Sequence, residues 1–258
     1  MKQSQTRITR HLLVLGAILA FCGLRAKADD FSRTYEKVIS SVVTIQSDKG
    51  SGSGFCVRIP DDSSWLDRTL ARSGGTKTVF VTNAHVVPKT DSNEGRRLTI
   101  IGSNDKRYVG FVNYQDPQKD IAFVSCSGLT NCDDIPPVLL ASADPKPGID
   151  AFAIGSPGIG VGNRVGLATG SVTRGTVSRV WSREGLVQID TPVNHGNSGG
   201  PLFDMNGVVI GMVTMYATAP GTQERLPGVN IAISPVKIGA MLSDYARMMS
   251  AVQPKDRR

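Results

Sequence analysis

The stretch Asn194-His195-Gly196-Asn197-Ser198-Gly199-Gly200-Pro201-Leu202 decides how this chain is read. A serine hydroxyl is a weak nucleophile until a base lies within hydrogen-bond reach. Its attack on a carbonyl also creates an oxyanion that needs donors. Glycines on both sides of Ser198 allow a tight turn that aims successive backbone N–H groups inward. The N–H groups of Gly196, Asn197 and Ser198 are therefore the candidate oxyanion donors. The competing reading is a Gly-rich hairpin turn with a passive serine, a common use of glycine.

A base must be found elsewhere, and the chain has three histidines, His11, His85 and His195. His195 is too close in sequence to swing onto the serine of its own loop, and His11 falls in the leader described below. His85 lies in Thr82-Asn83-Ala84-His85-Val86-Val87, after an apolar run and before two valines. That setting predicts a buried imidazole at a strand end, and the requirement for reach selects His85 as the base. The third element is Lys119-Asp120-Ile121-Ala122-Phe123-Val124. An acid directly before an apolar strand is drawn inward and needs a partner. The imidazole N–H of His85 is one, and the pairing would fix its tautomer. Asp91, Asp105, Asp116 and Asp190 are rivals, and only Asp190 borders a strand in a comparable way. Gly196-Asn197-Ser198-Gly199-Gly200 also fits G-x-S-x-G, but the α/β-hydrolase fold places its histidine after the serine. No histidine follows Ser198, so chain order excludes that fold.

The surrounding sequence reads as strands. Runs rich in β-branched and aromatic residues occur at 42–46, 55–59, 79–82, 98–101, 108–114 and 121–124, enough to close one small barrel. A Pro- and Asp-rich linker covers 131–148. A second set follows at 151–154, 165–173, 176–181, 186–189, 201–203, 208–215 and 229–233. Phe31, Tyr35, Val38 and Ile39 share one face of a short helix behind Asp29-Asp30. Pro235 opens a second helix, with Val236, Ile238, Met241, Leu242 and Tyr245 on its apolar stripe. With 28 Gly, 14 Pro and 40% hydrophobic residues in 258, the composition suits many short strands and not a disordered chain or a helix bundle.

The formal charge of +7 suggests a polyanionic partner, but its distribution argues otherwise. Residues 1–28 hold Lys2, Arg7, Arg10, Arg25 and Lys27 and no acid; without them 24 basic residues face 22 acids, a balance of +2. No concentrated basic face remains for nucleic acid. The same 28 residues have the layout of a secretory signal peptide: a basic start, an apolar run from Leu12 to Phe21, and Ala26-Lys27-Ala28 as the cleavage pattern. The run is shorter than the ~20 residues of a spanning helix, so no stable membrane anchor is expected. The bulky Phe21 before Cys22 argues against lipid attachment. Export permits disulfides, and the mature chain would keep Cys56, Cys126 and Cys132. Cys126 and Cys132 bracket a short polar loop and are the candidate pair, worth about 2 kcal/mol by chain entropy. Cys56 would then be a buried free thiol. Spacing alone does not choose among the pairings, and three reduced thiols remain an alternative. No His/Cys cluster with ligand spacing calls for a metal, and no cofactor is expected.

The three segments around His85, Asp120 and Ser198 resemble the trypsin-like peptidases of the HtrA/Deg type, and their order His, Asp, Ser is that of chymotrypsin. The likeness extends through 31–45, Gly52-Ser53-Gly54-Phe55, Ala153-Ile154-Gly155-Ser156-Pro157, 169–178 and 210–215. It implies an all-β fold of two six-stranded antiparallel barrels of the chymotrypsin type, with short N- and C-terminal helices and the active site between the barrels. The expected division is a leader at 1–28, a first barrel at 29–135 carrying His85 and Asp120, and a second at 136–258 carrying Ser198. The implied activity is serine endopeptidase on protein or peptide substrates, in the periplasm or outside the cell. A silent binding barrel and an esterase on the same fold are the alternatives.

The resemblance also marks departures. HtrA-type chains usually continue into PDZ domains, whereas this sequence stops soon after its last helix, so PDZ-controlled regulation is not expected. Asn197 replaces the Asp that serves zymogen activation in digestive relatives, so that switch is not expected either. The resemblance places Pro192 at the base of the pocket for the residue preceding the cut, with Thr214, Met215 and Tyr216 along the substrate. Val229, Asn230 and Ile231 would form the far wall. None is a carboxylate, so a basic side chain would lack a counter-ion. Cleavage after Val, Ala, Ile or Leu of unfolded chains is the expectation.

Overall fold

Strands such as Val42–Ser47 and Ile121–Cys126 are buried over four consecutive residues, and six strands remove their exposed edges by closing on themselves. The computed structural model describes residues 31–47, 50–60, 78–88, 97–126, 132–161, 164–222 and 224–251. The expected leader at 1–28 and the rival Asp91 lie outside them. A helix occupies residues 31–39.

The first barrel comprises β1 (Val42–Ser47), β2 (Gly50–Arg58), β3 (Thr78–Thr82), β4 (Arg97–Gly102), β5 (Arg107–Asp116) and β6 (Ile121–Cys126). They close in the order β1-β2-β3-β6-β5-β4, every pair antiparallel. Closure occurs at β1, where Val43 faces Gly54 on one side and Gly102 on the other. Val43, Ile45, Phe80, Ile100, Ala122 and Val124 fill its centre. Cys56 is buried there too, and burial pushes its thiol up to about 12, so it packs as a neutral group. Cys126 and Cys132 form a disulfide, with Cα atoms 6.0 Å apart.

The second barrel uses β7 (Asp150–Gly155), β10 (Ser171–Trp181), β11 (Leu186–Ile189), β12 (Pro201–Asp204), β13 (Val209–Thr218) and β14 (Arg225–Ile233). Its closed order is β10-β11-β14-β13-β12-β7. Ala153, Val187, Ile189, Leu202, Val213 and Ala232 fill its core. Between β7 and β10 a separate hairpin stands out, β8 (Gly158–Val161) with β9 (Arg164–Leu167).

This hairpin corrects the sequence expectation of strands at 165–173 and 176–181. The chain breaks at Thr169-Gly170, where Gly170 has φ 76° in a turn, and then runs unbroken through Gly175. Gly175 looks like punctuation in sequence, but its task is close packing. A Cβ there would lie 2.5 Å from the Thr191 amide nitrogen.

The linker after Cys132 pairs with both barrels, through parallel bridges Val57↔Val138 and Leu140↔Val209. The C-terminal helix, Pro235–Ala251, is capped by Ser234, whose Oγ accepts from the N–H groups of Val236 and Lys237 at 3.2 and 3.4 Å. Ile238, Met241, Leu242 and Tyr245 are buried as expected, whereas Val236 is 46% exposed. Tyr245 reaches back to the first barrel, its ring 5.3 Å from that of Phe123 and its hydroxyl accepting from Asn113 at 3.1 Å. No helix among the described residues is long and apolar enough to cross a membrane.

Candidate active site

His85 sits on the turn that follows β3, and its side chain is 50% exposed. The sequence expectation of a buried imidazole is thus corrected: the strand ends at Thr82, and the turn carries the ring out to the cleft. Asn83 stays buried in its place and donates to the Asp120 carbonyl at 3.0 Å. That bond fixes the distance between the two loops.

Asp120 immediately precedes β6 and adopts φ 55°, a left-handed conformation that Asp tolerates better than most residues. Asp116 prepares that bend by accepting the N–H groups of Gln118 and Lys119 at 3.0 and 2.9 Å. The Asp120 carboxylate then meets His85 twice. Nδ1 lies 2.9 and 3.0 Å from its two oxygens, and the His85 backbone N–H donates to Oδ1 at 3.1 Å. Thr214 from β13 adds a third donor, Oγ1 to Oδ2 at 2.6 Å. Burial pushes the Asp120 carboxyl up, but the bonds from His85 and Thr214 outweigh it and hold the group below its ordinary value. Of the described rivals, Asp105 lies in a turn away from His85, and Asp190 accepts from the Thr176 N–H and hydroxyl at 2.5 and 3.0 Å.

Ser198 is presented by a turn of backbone. Gly196 and Gly199 have φ 97° and 82°, values open to glycine and costly for other residues. The His195 carbonyl accepts from Gly158 N–H at 3.2 Å. A trans peptide places N–H opposite C=O, so the Gly196 N–H is directed away from Gly158. Among the described residues no acceptor takes the N–H of Gly196 or Ser198. The Asn197 N–H, by contrast, donates to the Asn194 carbonyl at 3.0 Å. It closes the turn and is corrected out of the donor set expected from sequence. The Ser198 hydroxyl donates to the Thr214 carbonyl at 3.1 Å.

Sequence reasoning gave Ser53 no role, and the structure makes it the joint between the barrels. Its N–H donates to the Ser198 carbonyl at 2.8 Å, and its hydroxyl donates to the Gly196 carbonyl at 2.7 Å. The same oxygen accepts from Ser156 N–H at 2.9 Å, while Thr82 Oγ1 donates to the Ser53 carbonyl at 2.7 Å. The only hint in sequence was a small polar residue between two glycines of a strand.

Two hollows meet at His85, His195 and Ser198. One, of about 400 Å³, is lined also by Val193, Asn194, Val213, Thr214, Met215 and Tyr216. The other, of about 390 Å³, is lined also by Ser47, Gly50, Ser51, Val86, Val87 and Gly196. Pro192 does not line the first, which corrects its expected place at the pocket base. The Asn230 amide donates to the Thr191 carbonyl at 2.8 Å, Thr191 and Val193 turn inward, and Pro192 between them is exposed. Met215 lines the hollow and remains 54% exposed. Among the described residues no group of three potential metal ligands occurs.

A double barrel with an Asp–His pair facing a serine turn defines a class, and comparison with known proteins agrees. Residues 52–212 match the trypsin-like peptidase domain, and the chain belongs to that family. It is 32% identical to serine protease HTRA1A of Danio rerio over 249 residues, covering 87% of this chain and 43% of that one. It is 30% identical to serine protease HTR4 of Rattus norvegicus over 237 residues, covering 86% and 42%. A probable periplasmic serine endoprotease, DegP-like, of Buchnera aphidicola is 28% identical over 181 residues, covering 66% and 35%. The chain thus spans less than half the length of these curated relatives. The crystal structure of the serine endoprotease from Yersinia pestis superposes with a TM-score of 0.59 at 19% identity, over 84% of this chain and 67% of that one, and shares the fold.

Proposed function

We propose that the chain is an exported serine endopeptidase in which Ser198 is the nucleophile, His85 the general base and Asp120 its orienting acid. The observation that carries this reading is the Asp120 carboxylate held by both the ring and the backbone of His85 and by Thr214, in a cleft that also contains Ser198. Asp120 keeps the proton of His85 on Nδ1, which leaves Nε2 as the acceptor. Ser198 Oγ turns from the Thr214 carbonyl toward Nε2, passes its proton there and attacks the scissile carbonyl. The oxyanion that forms accepts from the N–H groups of Gly196 and Ser198. Collapse expels the amine, which takes the proton from His85. Water then repeats the sequence on the acyl-enzyme.

The substrate chain would extend along Thr214-Met215-Tyr216 by strand addition. The side chain preceding the cut would fill the hollow lined by Val193, Val213, Met215 and Tyr216, whose walls favour Val, Ala, Ile or Leu. The leader pattern supports export, to the periplasm or the exterior. A serine-reactive fluorophosphonate followed by peptide mapping tests the reading. Labelling at Ser198 that is lost in His85→Ala is expected, and labelling at another serine would refute it.

A further inference from the structure

Arg225, at the start of β14, is absorbed by none of the steps above, yet its guanidinium grips both second-barrel segments that bound the hollow beside Ser198, the 193–194 stretch and Tyr216. Nη2 donates to the Val193 carbonyl and to Asn230 Oδ1, the latter at 3.2 Å. Nη1 reaches Asn194 Oδ1 at 3.5 Å. Its central carbon lies 4.7 Å from the centre of the Tyr216 ring, within cation–π range. Tyr216 in turn meets the edge of the His195 ring at 6.1 Å. Asn230 is buried and carries the link on to the Thr191 carbonyl. Val193, Asn194, His195 and Tyr216 all line the hollow. Each oxygen that Arg225 contacts is neutral, and among the described residues no carboxylate forms an ion pair with it.

We propose that Arg225 is the specificity-determining residue of this pocket, clamping its two walls together while its unneutralised charge repels lysine and arginine side chains. The proposal rests on the endopeptidase reading and deepens it, since Arg225 acts through Val193, Asn230 and Tyr216 and is a positioning residue. A planar guanidinium suits this task because its rigid fork holds separate acceptors in fixed directions while its flat face lies on a ring, a geometry that a compact ammonium lacks. Arg225 stands behind the lining of the hollow and not in it, so a basic side chain entering the hollow would approach a like charge held just beyond its wall. A basic side chain would therefore meet repulsion as well as the lack of a counter-ion.

The test uses the full chain, its Arg225→Gln and Arg225→Lys variants, and two peptides that differ only in norleucine or lysine before the cut. These side chains have similar length and differ in charge. A small fluorophosphonate, which reaches Ser198 without filling the hollow, reports the state of the nucleophile separately. The unaltered protein should prefer norleucine at least tenfold. Arg225→Gln should raise KM for the norleucine peptide about tenfold with a much smaller change in kcat, and should cut the discrimination against lysine about tenfold. Arg225→Lys should share the rise in KM but keep the discrimination, because it loses the fork and retains the charge. An Arg225→Gln protein with unchanged KM and unchanged discrimination overturns the proposal. So does one whose phosphonate labelling falls as far as its peptide cleavage, since the residue would then support the nucleophile turn and not the pocket. An unaltered protein that neither labels nor cleaves overturns the endopeptidase reading, and this one with it.

Discussion

The two barrels supply different kinds of chemistry to one cleft. The first supplies side chains: His85 and Asp120 sit on neighbouring loops joined by hydrogen bonds from Asn83 and from the His85 backbone. The second supplies backbone: a turn with two left-handed glycines presents the Ser198 hydroxyl and the free N–H groups of Gly196 and Ser198. Changes in the first should act by removing a proton carrier, and changes in the second by moving a peptide plane. Thr214 and Ser53 cross that division, each reaching from its own barrel to hold the other's group.

The largest effect should come from removing the reacting atoms. Ser198→Ala and His85→Ala should each lower kcat/KM on unfolded casein by more than about 10³-fold, and the double variant should be no worse, because the two act as a unit. Additive losses in the double variant would break the comparison at its root. Next is the backbone half. An alanine at Gly196 would take φ 97° and push its Cβ onto the Ser156 carbonyl, so the peptide must rotate. Gly196→Ala should lower kcat about 10²- to 10³-fold, the usual cost of losing an oxyanion donor. The strained φ should lower the thermal midpoint by a few degrees while circular dichroism stays that of the unaltered chain, and a lost fold would count against a local role.

Thr214→Val tests the crossing. It removes the 2.6 Å donor from Asp120, one of the contacts that hold this carboxyl below its ordinary value. About a tenfold fall in kcat/KM is expected, with activity lost at higher pH on the acid side. Stability gives the matching sign. A depressed carboxyl contributes fully above its unfolded pKa of about 3.9 and loses that contribution as pH falls through the folded value. Urea midpoints of the unaltered chain and Thr214→Val should therefore differ near pH 6 and converge near pH 2. A gap that widens on acidification would refute the assignment. The smallest effect is expected at His195, whose carbonyl shapes the turn while its ring only meets Tyr216. His195→Ala should keep activity within about threefold, and a loss as deep as that of His85→Ala would reverse the choice of base.

Much of this was legible in sequence because it is local. Strand positions follow from β-branched and aromatic runs between turn formers, and the serine turn follows from its flanking glycines. The choice of Asp120 over its rivals follows from an acid set directly against an apolar strand. The misses share a cause. Gly175 reads as a break, yet it is a point of close packing against Thr191, a residue far along the chain. Pro192 is exposed between two inward residues held from another strand, Thr191 by Asn230 and Val193 by Arg225.

The sequence by itself determined the candidates for the chemistry and that they hang on a double set of short strands, since hydroxyl, imidazole and carboxylate character and β-rich composition belong to residues and their near neighbours. Tertiary structure alone decided which N–H groups are left for an oxyanion, which serine joins the barrels, and that Arg225 lies beside the pocket. The first two depend on hydrogen bonds such as Gly158 to His195, 3.2 Å, made within the second barrel, and Ser53 to Gly196, 2.7 Å, made only when the two barrels pack together.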